Sequence, residues 1–90
     1  MTVNVLFEAS FILDLKKIKD RQLLGQVQEA IEQVKAAVSP TDVTDLKKMQ
    51  GLDNFYRIRM GDHRIGLDDL DGEIIFVRFL HRKGIYRHFP

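Results

Sequence analysis

Ninety residues with 44% hydrophobic and 30% charged side chains suit one soluble globular domain with a small core, with no room for two. There is no cysteine, no basic stretch leading into an apolar run at the N-terminus, and no segment near the roughly 18 apolar residues of a membrane span; disulfides, thiolate zinc sites, a signal peptide and a membrane anchor are therefore not expected, and a reducing, cytoplasmic setting is. The net charge of +1 conceals an asymmetry: residues 1–45 hold five Lys/Arg against seven Asp/Glu, and residues 46–90 hold nine against six, which points to a polyanionic partner met by the C-terminal half.

In chain order, Thr2 to Phe7 alternates loosely through Val3, Val5 and Phe7 and predicts a first strand. Phe11, Ile12, Leu15 and Ile18 then fall at helical spacing over residues 9–18, with Asp14, Lys16, Lys17 and Lys19 expected to point outward. Asp20 stands where an N-cap is wanted. Leu24, Val27, Ile31, Val34 and Val38 form the apolar stripe of a second helix that Ser39-Pro40 should end, because proline disfavours helix in the residue before it. These two helices are expected to form an antiparallel hairpin. Residues 41–51 read as a connector with one short helical turn over 43–49. Three strands follow at 54–60, 64–70 and 73–80, separated by the turn dipeptides Gly61-Asp62 and Asp71-Gly72. Ile74 to Leu80 is apolar on both faces apart from Arg78 and should be a central strand. The expected architecture is α+β: an N-terminal strand and a two-helix hairpin packed on one face of a roughly four-stranded, mainly antiparallel sheet.

Chemistry concentrates in the second half. Alternation along Tyr56-Arg57-Ile58-Arg59-Met60 sends Arg57 and Arg59 to one face, and in the next strand Arg64 and Gly66 should share it while Ile65 and Leu67 enter the core. Three guanidiniums on one hairpin repel unless well solvated or neutralised by an anion, and guanidinium binds phosphate in bidentate fashion. Solvated arginines on an open face would give the same pattern. The terminal run from His81 to Pro90 has three Lys/Arg, two His and no acid. It holds the nearby proton-transfer candidates: His81, whose ordinary pKa is near 6.5, and Tyr86, which near 10 needs cationic neighbours. Packing of Tyr86 and Phe89 onto the sheet is the plainer use of those rings. No histidine spacing suits a metal, no glycine-rich phosphate loop is present, and the acids Asp68, Asp69, Asp71 and Glu73 straddle a turn; no metal or cofactor is expected.

The segments Leu46-Lys47-Lys48-Met49-Gln50-Gly51, Tyr56-Arg57-Ile58-Arg59-Met60-Gly61-Asp62-His63-Arg64-Ile65 and His81-Arg82-Lys83-Gly84-Ile85-Tyr86, in this order and over nearly the whole chain, closely resemble the RelE-type toxins of bacterial and archaeal toxin–antitoxin modules. The resemblance implies a ribosome-dependent endoribonuclease that enters the decoding site and cuts mRNA by attack of the ribose 2′-OH on the adjacent phosphate, without a metal. It also implies a cognate antitoxin as partner. Position by position, Arg57 and Arg59 match basic strand residues that contact the scissile region, and Arg64 matches the arginine that stabilises transition-state charge. Arg82 matches a residue assigned to phosphate contact or leaving-group protonation, and Tyr86 the tyrosine that orients or activates the nucleophile. Lys48 matches a cation that contacts ribosomal RNA or message; Lys47, Lys83 and Arg87 join it as expected substrate contacts.

Two departures stand out. Both strand positions are arginine where lysine is often found, and arginine does not usefully release a proton, so His81 or Tyr86 is the better proton-transfer candidate. The spacing from Arg82 to Tyr86 is also shorter than in some members. Competing readings are a ParE-like inhibitor of DNA gyrase with the same fold and a non-catalytic ribosome- or RNA-binding module.

Overall fold

The computed structural model describes residues 4–38, 42–51 and 54–90. Elements follow in the order β1 (Asn4–Phe7), α1 (Ala9–Lys16), α2 (Arg21–Ala36), β2 (Leu46–Lys48), β3 (Phe55–Met60), β4 (His63–Leu70), β5 (Glu73–His81) and α3 (Arg82–His88). The fold class is α+β, with the five strands in the order β1-β5-β4-β3-β2. β1 runs parallel to β5, and the other neighbours are antiparallel. Among the described residues no helix is long and apolar enough to cross a membrane.

The hairpins follow from local chemistry. Asp71 and Gly72 take φ values of 52° and 85°, the paired left-handed conformation that matches the twist of the strands it joins. Asp20 caps α2 as its position suggests, accepting from the Gln22 and Leu23 amides at 2.9 and 3.2 Å. Ile58, Ile65, Leu67, Phe76 and Phe79 line one sheet face and close a core with Phe11 of α1 and Val27, Ala30 and Val34 of α2. Phe76 and Phe79, three apart, both face inward because the pairing shifts between Gly66 and Leu67: Gly66 opposes Arg78 and Leu67 opposes Phe76, which leaves Val77 as the extra residue of a bulge.

Several expectations need correction. The connector holds a fifth strand, Leu46–Lys48, in place of a helical turn at 43–49; its backbone is taken up by β3. β4 starts at His63, α1 stops at Lys16, and α2 stops at Ala36, so that Val38 lies beyond the stripe and is 82% exposed. Ala30 and Ala37 are buried instead. The expected strand residues Thr2 and Val3, and the expected stop at Ser39-Pro40, lie outside the described residues.

Asp14 is the sharpest reversal, being 5% exposed rather than outward. β1 covers only residues 73–76 of β5, so the edge beyond it would be bare. α1 covers this stretch with side chains: Ser10 Oγ donates to the Val77 carbonyl at 2.6 Å, and Asp14 accepts the Phe79 amide at 2.9 Å. Asp14 also receives Arg78 in a bidentate pair, at 2.8 Å from Nε and 3.1 Å from Nη2.

The C-terminal run is a helix, α3, with its own buried residues. Ile85 is fully buried and Phe89 4% exposed, yet neither belongs to the core cluster. Phe89 lies over Gly66, on the sheet face away from the core.

Candidate nucleic-acid interface

Strand register gathers Lys47, Arg57, Arg59 and Arg64 on that second face. Arg59 pairs directly with Arg64, Arg57 with Gly66, and the edge residue Lys47 with Arg57. Directly opposed residues share a face at Cα separations of about 4.5–5.5 Å, so these side chains form one patch. The three strand arginines therefore come together as expected, and Lys47 joins them from the strand that was not foreseen. Among the described residues no acid pairs with Arg57, Arg59 or Arg64.

The members are held differently. Arg59 is exposed and Arg57 half-buried. Arg64 is fastened at the β3–β4 turn, where Nη1 donates to the Gly61 and His63 carbonyls, both at 2.8 Å. Its Nε is buried with no partner among the described residues. A guanidinium tethered through one nitrogen is preorganised for charge stabilisation. Arg78 shares this face by register, opposite Gly66, but turns to the edge and pairs with Asp14. That hydrogen bond raises its pKa further, against the opposing effect of burial, and withdraws it from the open patch.

α3 brings the remaining candidates. Arg82 opens it, its amide donating to the Asp62 carbonyl at 2.7 Å, next to the Arg64 turn. Tyr86 is 64% exposed, in line with its not being a packing residue, whereas Phe89 is. Lys83 and Arg87 are exposed on the same helix. Two candidates stand apart from the patch. Lys48 opposes Tyr56 on the helix-bearing face, at the sheet edge. His81 opposes His63 and, by alternation from Phe79, also belongs to that face. Its Nδ1 accepts the Lys83 amide at 3.2 Å and caps α3. Its ring meets His63 edge-on at 5.8 Å, and His63 stacks on Phe79 at 5.1 Å. Burial, then the proximity of His81, holds the His63 imidazole below its ordinary value of 6.5, against an upward pull from Asp62, with Arg64 adding the least.

The sequence reading missed the seat for the tail. Gly66 in mid-strand is the signal that could have revealed it, since a strand glycine often marks a close backbone approach. A concavity of about 200 Å³ is on the other face between Val34, Val43, Leu46, Tyr56 and Leu67, and no arginine lines it. It is a packing gap beside the core, remote from the cationic patch.

The family model described as ParE toxin of type II toxin-antitoxin system, parDE, matches residues 5–86. Toxin RelE3 of Methanocaldococcus jannaschii is 40% identical over 89 residues, covering 98% of this chain and all of that protein. A chain of the RelB-RelE antitoxin-toxin complex from Methanococcus jannaschii superposes with a TM-score of 0.79 at 39% identity, over 94% of this chain and 99% of that one. The archaeal RelE-RelB complex from Pyrococcus horikoshii OT3 shares the fold, with a TM-score of 0.72 at 21% identity over 91% and 97% of the two chains. The chain belongs to the RelE/ParE family of type II toxin–antitoxin toxins, and within it is of the RelE type.

Proposed function

We propose that this toxin is a ribosome-dependent mRNA endonuclease that works by 2′-OH attack on the adjacent phosphate, without a metal. The observation that supports it is the patch of Lys47, Arg57, Arg59 and Arg64 on one sheet face, its arginines paired to no acid among the described residues, with the Arg82- and Tyr86-bearing helix α3 laid over the same face. Arg57, Arg59 and Lys47 grip the message backbone, and Arg64, tethered at its turn, meets the charge that builds on the phosphorus-bound oxygens. Lys48, Lys83 and Arg87 contribute outer contacts to ribosomal RNA or message. Arg82 contacts the phosphate or protonates the leaving group. Tyr86 is the better candidate for orienting or activating the nucleophile, because it is exposed on α3 and His81 already commits Nδ1 to capping that helix. A cognate antitoxin is the expected regulator, as the M. jannaschii and P. horikoshii relatives were crystallised with theirs.

The test is a translation extract programmed with a reporter message, with cuts mapped by primer extension and a parallel gyrase supercoiling assay. Cuts at ribosome-bound codons, lost in Arg64→Ala and reduced in Arg57→Ala and Arg59→Ala, are expected, with supercoiling untouched. Cuts that persist undiminished in Arg64→Ala refute the mechanism; supercoiling inhibition without cuts favours the gyrase reading.

A further inference from the structure

We propose that Phe89 is a positioning residue: seated on Gly66, its ring fixes α3 across the arginine face and so sets where Tyr86 and Arg82 stand relative to Arg57 and Arg64. The inference rests on the endonuclease reading for its kinetic consequence, but its structural content is independent of it.

α3 spans seven residues, too few for a helix to hold itself in water, so its placement comes from packing and capping. Three side chains hold it. His81 caps its start, Ile85 buries its middle, and Phe89 anchors its end, with the Phe89 amide still donating to the Ile85 carbonyl at 3.0 Å. The third attachment is closely fitted. A Cβ built on Gly66 would lie 2.8 Å from three atoms of the Phe89 ring, closer than carbon atoms tolerate, so only glycine leaves room for it there. Phe55 closes the side of the seat, meeting the ring edge-on at 5.4 Å and 87°. Gly66 is the direct cross-strand partner of Arg57, so the seat adjoins the cationic patch. Tyr86 is exposed and lacks packing of its own; its position is inherited from the helix that Ile85 and Phe89 hold down.

The experiment compares Phe89→Ala, Phe89→Leu, Gly66→Ala and the double variant Gly66→Ala/Phe89→Ala in ribosome-bound cleavage, with folding checked by circular dichroism. A parallel 19F spectrum of fluorotyrosine-labelled protein uses Tyr86→Phe to separate the Tyr86 signal from Tyr56. The expected result is a fall in kcat of about ten- to a hundredfold for Phe89→Ala with KM for ribosomes little changed, as displacement of a catalytic group by about 1 Å produces. Phe89→Leu recovers most of the rate, Gly66→Ala reproduces the loss, and the double variant is no slower than Phe89→Ala. The Tyr86 resonance moves and sharpens when the ring is removed. Unchanged kcat in folded Phe89→Ala, additive losses in the double variant, or a Tyr86 signal identical to wild type would each overturn the assignment. Wild-type protein that fails to cut at all overturns the endonuclease reading instead, and the Tyr86 signal still decides the positioning role.

Discussion

Replacing Asp14 by alanine should be among the most damaging single changes outside the cationic face. Its carboxylate is 5% exposed and holds three donors, the Phe79 amide and the Nε and Nη2 of Arg78. Breaking a fully buried ion pair costs about 3–5 kcal/mol, but Arg78 keeps 27% exposure, so water recovers part of its solvation and the arginine share falls toward the small value of a surface pair. The Phe79 amide has no such escape; an unsatisfied buried donor costs about 1–3 kcal/mol. Together these give a loss of about 2–4 kcal/mol, set against a total of roughly 5–13 kcal/mol for a domain of this size. At about 4–8 °C per kcal/mol, Tm should fall by about 8–32 °C. Asp14→Asn keeps an acceptor for the Phe79 amide and should recover about half of the loss. Urea unfolding followed by circular dichroism measures it. A loss below about 1 kcal/mol for Asp14→Ala would refute the argument and return Asp14 to the status of a surface residue.

Asp68 makes the opposite prediction. Burial, then repulsion from Glu8 and Asp69, raises its carboxyl pKa above 3.8, and its Oδ1 is buried without a partner among the described residues. The folded chain thus binds that proton more tightly than the unfolded one, and stability falls as pH rises through the raised value. Asp68→Asn should raise Tm by a few degrees at neutral pH, with the gain fading toward pH 3.8; a lower Tm at neutral pH contradicts this. His63 is held neutral, so its contribution is intact above the unfolded value of 6.5 and lost as pH falls through the depressed folded value. His63→Phe keeps the stack on Phe79 and should flatten the fall in stability below pH 6.5; an unchanged slope would remove His63 from the account.

Much of this fold can be read from the chain because its signals are local. Alternation through Arg57, Ile58 and Arg59 and the Asp71-Gly72 turn determine the hairpins and hence the shared face of Arg57, Arg59 and Arg64. What escapes is set by distant partners. Leu46–Lys48 is too short to show a period and becomes a strand only because β3 has a free edge. Asp14 sits among lysines in sequence, and nothing local reports that an uncovered stretch of β5 lies beside it. The bulge at Val77 shifts the side-chain alternation within β5, so Phe76 and Phe79 both reach the core. α3 carries a glycine and like charges four apart at Lys83 and Arg87, both unfavourable in a short helix, and is held through Ile85 and Phe89. The site residues themselves were legible as a pattern of charge; their functional roles came from family resemblance, and the separation of Lys48 and His81 from the patch came from register.

The chemistry at the cut separates 2′-OH attack from hydrolysis by water. If a ribose 2′-OH attacks the phosphorus, the new O2′–P bond forms as the P–O5′ bond breaks. The upstream fragment then ends in a 2′,3′-cyclic phosphate and the downstream fragment begins with a free 5′-hydroxyl. End-group analysis of message cut on the ribosome by the purified toxin should find a downstream fragment that accepts phosphate from a polynucleotide kinase without prior phosphatase treatment. A downstream fragment bearing a 5′-monophosphate would contradict it.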